Sequence, residues 1–169
     1  MGHVAFAEPY CEGMRAAILE AMKPLELTVH PKGTLVCMEG PLFSSRAESF
    51  LYRQWKADLI GMTALPEAKL AREAEMCLAI VAMVTDYDCW KGAEESVTIE
   101  MVLQVMADNT RHVQEALPAI LSGLGKRGDC ACRHAGENAI MTDPSLIPYE
   151  LRRRLSLFYG KYWEDSSRG

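Results

Sequence analysis

A near-continuous apolar run, Cys77-Leu-Ala-Ile-Val-Ala-Met-Val-Thr85, constrains this chain more than any other feature. Its length and β-branched content predict a strand, and a strand apolar on both sides has to be covered on both sides. The residues before it alternate in character. Residues 11–23 space Met14, Ala17, Ile18 and Met22 along one helix face, and Pro24 ends that helix. Gly33–Glu39 is β-prone and is stopped by Gly40-Pro41, which predicts a strand followed by a loop. Ser45-Arg-Ala-Glu48 is a capping box: the serine accepts from a free backbone N–H and the glutamate reaches back. The helix it opens is expected to run to Lys56 with Ala47, Phe50, Leu51 and Trp55 on one face. Asp58–Thr63 predicts a second strand, Pro66 opens a helix through Glu75, and residues 77–85 make the third strand. Strands alternating with helices predict an α/β fold, a mostly parallel or mixed sheet with flanking helices, filling residues 1–169 as a single domain.

Further on, Thr98 caps a long helix whose Ile99, Val102, Leu103 and Met106 share a face, with Pro118 bending or ending it near its tail. Gly123–Gly136 predicts a loop, and Pro148–Tyr159 a last helix whose Arg152-Arg153-Arg154 run reads as a solvated face. No Gly-rich phosphate loop occurs, and the first strong strand begins only after the first thirty or so residues. The sheet is therefore expected to be incomplete, since a long buried strand such as 77–85 needs neighbours on both edges.

The formal net charge of −5 argues against binding a nucleic-acid backbone, which needs a surplus of Lys and Arg, so the expected ligand is small. There is no apolar run of about 18 residues, and MGHVAFAEPYCEG has no basic segment leading into an apolar one. Neither a membrane span nor a signal peptide is expected, and the chain reads as cytoplasmic. Of its six cysteines, Cys37 and Cys77 sit in apolar runs and read as core thiols. The Cys130-Ala-Cys132 pair has only His134 close in sequence, too few ligands for a four-coordinate zinc site, so no metal is expected. A disulfide at this pair is the alternative, against which a reducing cytosol weighs.

In open α/β sheets, ligands bind beyond the carboxyl ends of the strands. Those ends carry Gly40-Pro41-Leu42-Phe43-Ser44, Met62-Thr63 and Thr85-Asp86-Tyr87-Asp88. If strand geometry continues past Thr85, Asp86 and Asp88 point to the same side. Such a pair can bind a metal, do acid/base work on a sugar, or read donors on a flat base.

The run EGPLFSSRAES from Glu39 to Ser49, Gly61-Met62-Thr63, and TDYDCW from Thr85 to Trp90 resemble the methylthioadenosine phosphorylases of the purine nucleoside phosphorylase family, trimeric type. The resemblance extends from HVAFAEPYC, His3 to Cys11, to about Leu121, and the Cys-x-Cys tail with Thr142-Asp143-Pro144 is similar to bacterial and archaeal members. It implies a nucleoside phosphorylase-like fold and phosphorolysis of S-methyl-5′-thioadenosine to adenine and 5-methylthioribose 1-phosphate. Inorganic phosphate is then a co-substrate, no cofactor is expected, and the implied partners are the nucleoside, phosphate and further copies in a homotrimer or higher homo-oligomer.

Residue by residue, the resemblance implies that Phe43 stacks on the purine while Ser44, Thr85 and Asp88 help hold it. Asp86 is the implied catalytic group, a proton donor or partner at purine N7. Met62 would lie against the ribose and Thr63 would donate to phosphate. Ile99, Val102 and Leu103 would form part of the pocket for the 5′-methylthio group, and His3 would reach that end of the substrate across a subunit interface. The chemistry is consistent. Phosphate attack at C1′ expels a purine anion, so a carboxyl able to protonate or hydrogen-bond N7 lowers the barrier. A 6-amino group donates and a carboxylate accepts, whereas a 6-oxo purine sets acceptor against acceptor.

The Gly-rich phosphate loop and Arg-His pair of the family's upstream half have no counterpart in this sequence, so the isolated chain is expected to be an incomplete, inactive portion: a fragment, a split or processed subunit, or the product of a misplaced start codon. Two other readings share most of these residues. One is a purine nucleoside phosphorylase of broader or 6-oxopurine preference. The other is a non-catalytic portion that only trimerises or binds adenine nucleosides.

Overall fold

The computed structural model describes residues 2–91, 98–125 and 128–164. The chain divides into two compact units of interleaved segments. The first consists of Met1–Met14, Pro66–Ala79 and Gly128–Gly169, and the second of Arg15–Leu65 and Ile80–Arg127.

In the second unit, strand β1 (Leu35–Cys37) pairs in parallel with β2 (Leu59–Gly61), with Leu35 opposite Leu59 and Cys37 opposite Gly61. Helix α2 (Arg46–Gln54) makes the crossover between them. Its start is the predicted capping box: Ser45 Oγ accepts from the Glu48 backbone N–H at 3.3 Å, and Glu48 Oε2 accepts from the Ser45 backbone N–H at 2.7 Å. At the entry to the strands, Asp58 Oδ2 accepts from the Thr34 N–H at 2.7 Å, and the Asp58 N–H donates to the Thr34 carbonyl at 2.9 Å. This exchange fixes the register of the pair. Helices α1 (Glu12–Met22) and α4 (Ile99–Leu124) supply the unit's core, in which Met22, Ala116 and Ile120 are buried with Ile18 and Leu124 packed against them. A short 3₁₀ turn, Lys23–Leu25, contains Pro24 and closes α1 where the sequence predicts. Thr98 caps α4 as predicted, accepting from the Met101 N–H at 3.3 Å. Pro118 does not end α4, which continues to Leu124.

Two expectations change here. Residues 77–85 do not form a third strand: residues 76–88 carry no regular secondary structure, and β1–β2 is the sheet among the described residues. A strand is defined by its ladder, and these carbonyls bond elsewhere. Asn109 Nδ2 on α4 donates to the Val84 carbonyl at 2.9 Å, and the Cys11 N–H donates to Leu78 within the first unit at 2.7 Å. Met83 and Val84 are accordingly exposed rather than covered. The predicted apolar face of α2 is also exposed at Phe50, Leu51 and Trp55, while its buried residue is Ser49.

In the first unit, helix α3 (Ala64–Glu73) enters from its N-terminal turn and carries Pro66 at its third position, where a missing N–H costs no helical bond. Helix α5 (Tyr149–Glu164) is the unit's other long element. The predicted loop before it contains a 3₁₀ turn, Ala131–His134, with residues 126 and 127 outside the described set. Gly2 forms an antiparallel bridge with Ile140, and the His3 N–H donates to the Ala139 carbonyl at 2.7 Å. The Arg152–Arg154 run is exposed at Arg153 and Arg154 and half-buried at Arg152.

Candidate functional site

Past the end of β1 the chain turns at Gly40, whose φ of +69° lies in the left-handed region open to glycine. A Cβ there would lie 3.1 Å from Met62 Sδ, so the loop after β1 packs closely on the residue that follows β2. This turn brings Phe43 and Ser44 beside the ends of the strands. They share a cleft of about 830 Å3 within the second unit with Met62, Thr85, Asp86 and Asp88. Three segments far apart in sequence thus supply one concave surface, which runs along the β1–β2 pair from Leu35 and Asp58 to Met38 and Met62 at the strand ends.

The polar groups of the cleft are held by short local bonds. Thr85 Oγ1 donates to Asp86 Oδ1 at 2.6 Å, and the Cys89 N–H donates to Asp88 Oδ1 at 2.8 Å. The thiol of Cys89 reaches the Ser44 carbonyl at 3.4 Å, tying the Asp86–Asp88 segment to the Phe43–Ser44 loop. Ser44 Oγ lies 3.6 Å from Met38 Sδ. Phe43 is 86% exposed on this surface. Its ring is therefore open on the same surface that carries the two carboxylates.

The other expected site residues lie elsewhere. Thr63 is exposed and immediately precedes α3. Ile99, Val102 and Leu103 lie on the first turns of α4, with Ile99 and Leu103 exposed and Val102 half-buried, and they do not line the cleft. His3 is an exposed residue of the first unit.

The cleft also contains residues that the sequence did not mark. Ser49, Tyr52 and Arg53 line it from α2, at the i, i+3, i+4 spacing of one helix face. The spacing is visible in the sequence, but the face it marks is polar and carries no apolar periodicity. Ser49 is 1% exposed, and its hydroxyl has no hydrogen-bond partner among the described residues. Arg53 stacks over the Trp90 ring at 3.6 Å from its centroid, and Trp90 meets Tyr87 edge to face at 5.6 Å. This cation-π and aromatic chain braces the far end of the Asp86–Asp88 segment.

One cleft thus brings together an exposed aromatic ring, Phe43, two carboxylates, Asp86 and Asp88, and the hydroxyls of Ser44 and Thr85. The chain belongs to the phosphorylase superfamily, whose family profile matches residues 1–122. It is similar to the S-methyl-5′-thioadenosine phosphorylase of Geobacter sulfurreducens, 40% identical over 162 residues that cover 96% of this chain and 57% of the relative. Among solved structures it resembles a methylthioadenosine phosphorylase from an antarctic soil metagenomic library, with a TM-score of 0.84 and 35% identity over 93% of this chain and 56% of that one. It also resembles a mutant of the adenosine/methylthioadenosine phosphorylase from Schistosoma mansoni in complex with methylthioadenosine, with a TM-score of 0.68 and 33% identity over 76% of this chain and 49% of that one. The chain therefore has the nucleoside phosphorylase fold, and it spans a little over half the length of the curated relatives it matches. No helix among the described residues is long and apolar enough to cross a membrane.

Proposed function

We propose that this chain supplies the purine and methylthioribose side of the active site of an S-methyl-5′-thioadenosine phosphorylase, with residues 1–169 as one portion of the phosphorylase domain. The observation that carries this reading is the exposed Phe43 ring in the same cleft as Asp86 and Asp88. A phosphate oxygen attacks C1′, the bond from C1′ to N9 breaks, and its electron pair passes into the purine. Asp86 gives or shares a proton at N7 as that charge develops, which is where a general acid lowers the barrier. The Thr85 hydroxyl, bonded to Asp86 Oδ1, orients the carboxyl. Ser44 and Asp88 hold the purine edge, and Met62 lies against the ribose. Thr63, next to the first turn of α3, donates to phosphate, and helix N-termini favour anions. Ile99, Val102 and Leu103 receive the methylthio end, with His3 contributed by a neighbouring copy in a homotrimer. The protein acts in the cytoplasm in purine and methionine salvage, with phosphate as co-substrate and without a catalytic cofactor.

The test is a chimaera that joins this chain to the unmatched remainder of the Geobacter sulfurreducens relative, assayed with methylthioadenosine and inosine in the parent and in Asp86→Asn. An amide at position 86 can donate to N7 and O6 of a 6-oxo purine but cannot deliver a full proton. With methylthioadenosine, kcat/KM should fall by roughly two to four orders of magnitude, while inosine loses far less or gains. A substrate ratio that does not move removes Asp86 from base recognition and favours the broader nucleoside phosphorylase. Size-exclusion light scattering of the chimaera checks the trimer.

A further inference from the structure

Four cysteines that are scattered in the sequence meet in the first unit. The Sγ atoms of Cys11, Cys77, Cys130 and Cys132 all lie within 4.8 Å of one another, with Cys11 and Cys132 buried and Cys77 and Cys130 half-buried. We propose that they form a tetrathiolate site for a structural divalent metal of the zinc type. The sequence expectation of no metal counted only ligands near Cys130 and Cys132; the fold brings Cys11 and Cys77 to complete the set.

Geometry favours one centre over two disulfides. A pair of disulfides needs only pairwise approach, whereas a metal needs every sulfur near every other at once, as here. Tetrahedral zinc with sulfur at about 2.3 Å spaces its ligands roughly 3.8 Å apart, which lies between the 3.1 Å that separates Cys77 and Cys130 and the 4.8 Å limit of the cluster. A backbone N–H already faces one of the sulfurs: Met14 N lies 3.4 Å from Cys11 Sγ. Such N–H···S bonds stabilise metal-bound thiolate, and the displaced thiol protons leave to solvent on coordination.

The location gives the metal a structural task. Cys11, Cys77 and the Cys130–Cys132 pair sit on the three separate segments that make up the first unit. Among the described residues of that unit, the buried apolar ones are small, namely Cys11, Ala68, Cys132 and Ala139. A unit with so little large buried surface is the kind that metals staple.

The chain, expressed with zinc and purified under reductant, is analysed for metal by plasma mass spectrometry and for coordination by cobalt substitution. The expected result is about one zinc per chain and the intense visible spectrum of tetrahedral thiolate-bound cobalt. Replacing Cys130 and Cys132 together by Ser should lower zinc at least tenfold, while Cys37→Ser, outside the cluster, retains it. If the double variant does not fold, the cobalt spectrum of the unaltered chain decides. Zinc below about a tenth per chain with no tetrahedral cobalt spectrum overturns the proposal. So does alkylation of fresh lysate, prepared without reductant, that finds these four residues paired as disulfides.

Discussion

Phe43 shows how one side chain separates a packing role from a binding role. With 86% of its surface exposed, it adds little to the core, so removing it should not weaken the fold. Stacking a base on an aromatic ring is worth about 1–3 kcal/mol. Phe43→Ala should therefore weaken adenine binding roughly tenfold to a hundredfold while leaving the melting temperature unchanged, measured by calorimetry and a thermal melt. Lost stability with unchanged affinity would return Phe43 to a packing role. Gly40 is the opposite case, because its conformation and its space are both committed. Gly40→Ala places a Cβ at φ +69° and 3.1 Å from Met62 Sδ, so it should cost about 1–2 kcal/mol in a urea titration. Because Met62 shares the cleft, the same change should also weaken substrate binding.

At the scale of the element, α2 connects local sequence to the site. It carries Ser49, Tyr52 and Arg53 into the cleft, and its first turn is held by the Ser45 cap. Ser45 hydrogen bonds hold the Glu48 carboxyl below its ordinary pKa, so the reciprocal half of the box persists at neutral pH and is lost as acid protonates Glu48. Ser45→Ala should cost about 0.5–2 kcal/mol, and Ser45→Thr should restore most of it. Equal stabilities of the Ala variant and the parent, by chemical denaturation, would show that packing alone fixes the helix start. Features of this local kind were legible in the sequence: the caps at Ser45 and Thr98, the stop at Pro24, and the strands around Leu35–Cys37 and Leu59–Gly61. The segment 77–85 was not, because a strand is a property of a pair and a single sequence cannot show whether a ladder partner is available. The same difference divides the site. Phe43, Ser44, Asp86 and Asp88 were legible through a specific motif, whereas Arg53 and Trp90 become partners only once α2 lies beside residues 85–90.

At the scale of the molecule, each unit is stitched from distant segments, so its stability rests on the few groups that bridge them. In the first unit one such group is Glu75, just beyond α3. Its carboxylate accepts from the Gly136 backbone N–H at 2.8 Å and from the Tyr162 hydroxyl, and pairs with Lys161 at 2.5 Å. Burial alone would raise its pKa, but the hydrogen bonds from Lys161, Tyr162 and Gly136 outweigh that and hold it below the ordinary 4.5. A depressed carboxyl contributes stability that is fully present above the unfolded value and is lost as pH falls through the folded one. The loss therefore lies below pH 4.5. At the alkaline end the sign reverses. The Glu75 hydrogen bond raises the Lys161 pKa above 10.5, so its contribution is complete below that value and disappears as pH rises through the higher folded one. Glu75→Gln keeps an acceptor for Gly136 but removes the charge to which both limbs respond. Thermal melts across the pH range should show the parent losing more of its stability than the variant at both extremes, with the largest gap between them near neutrality. Parallel curves would mean that Glu75 packs in the unit without bridging it electrostatically.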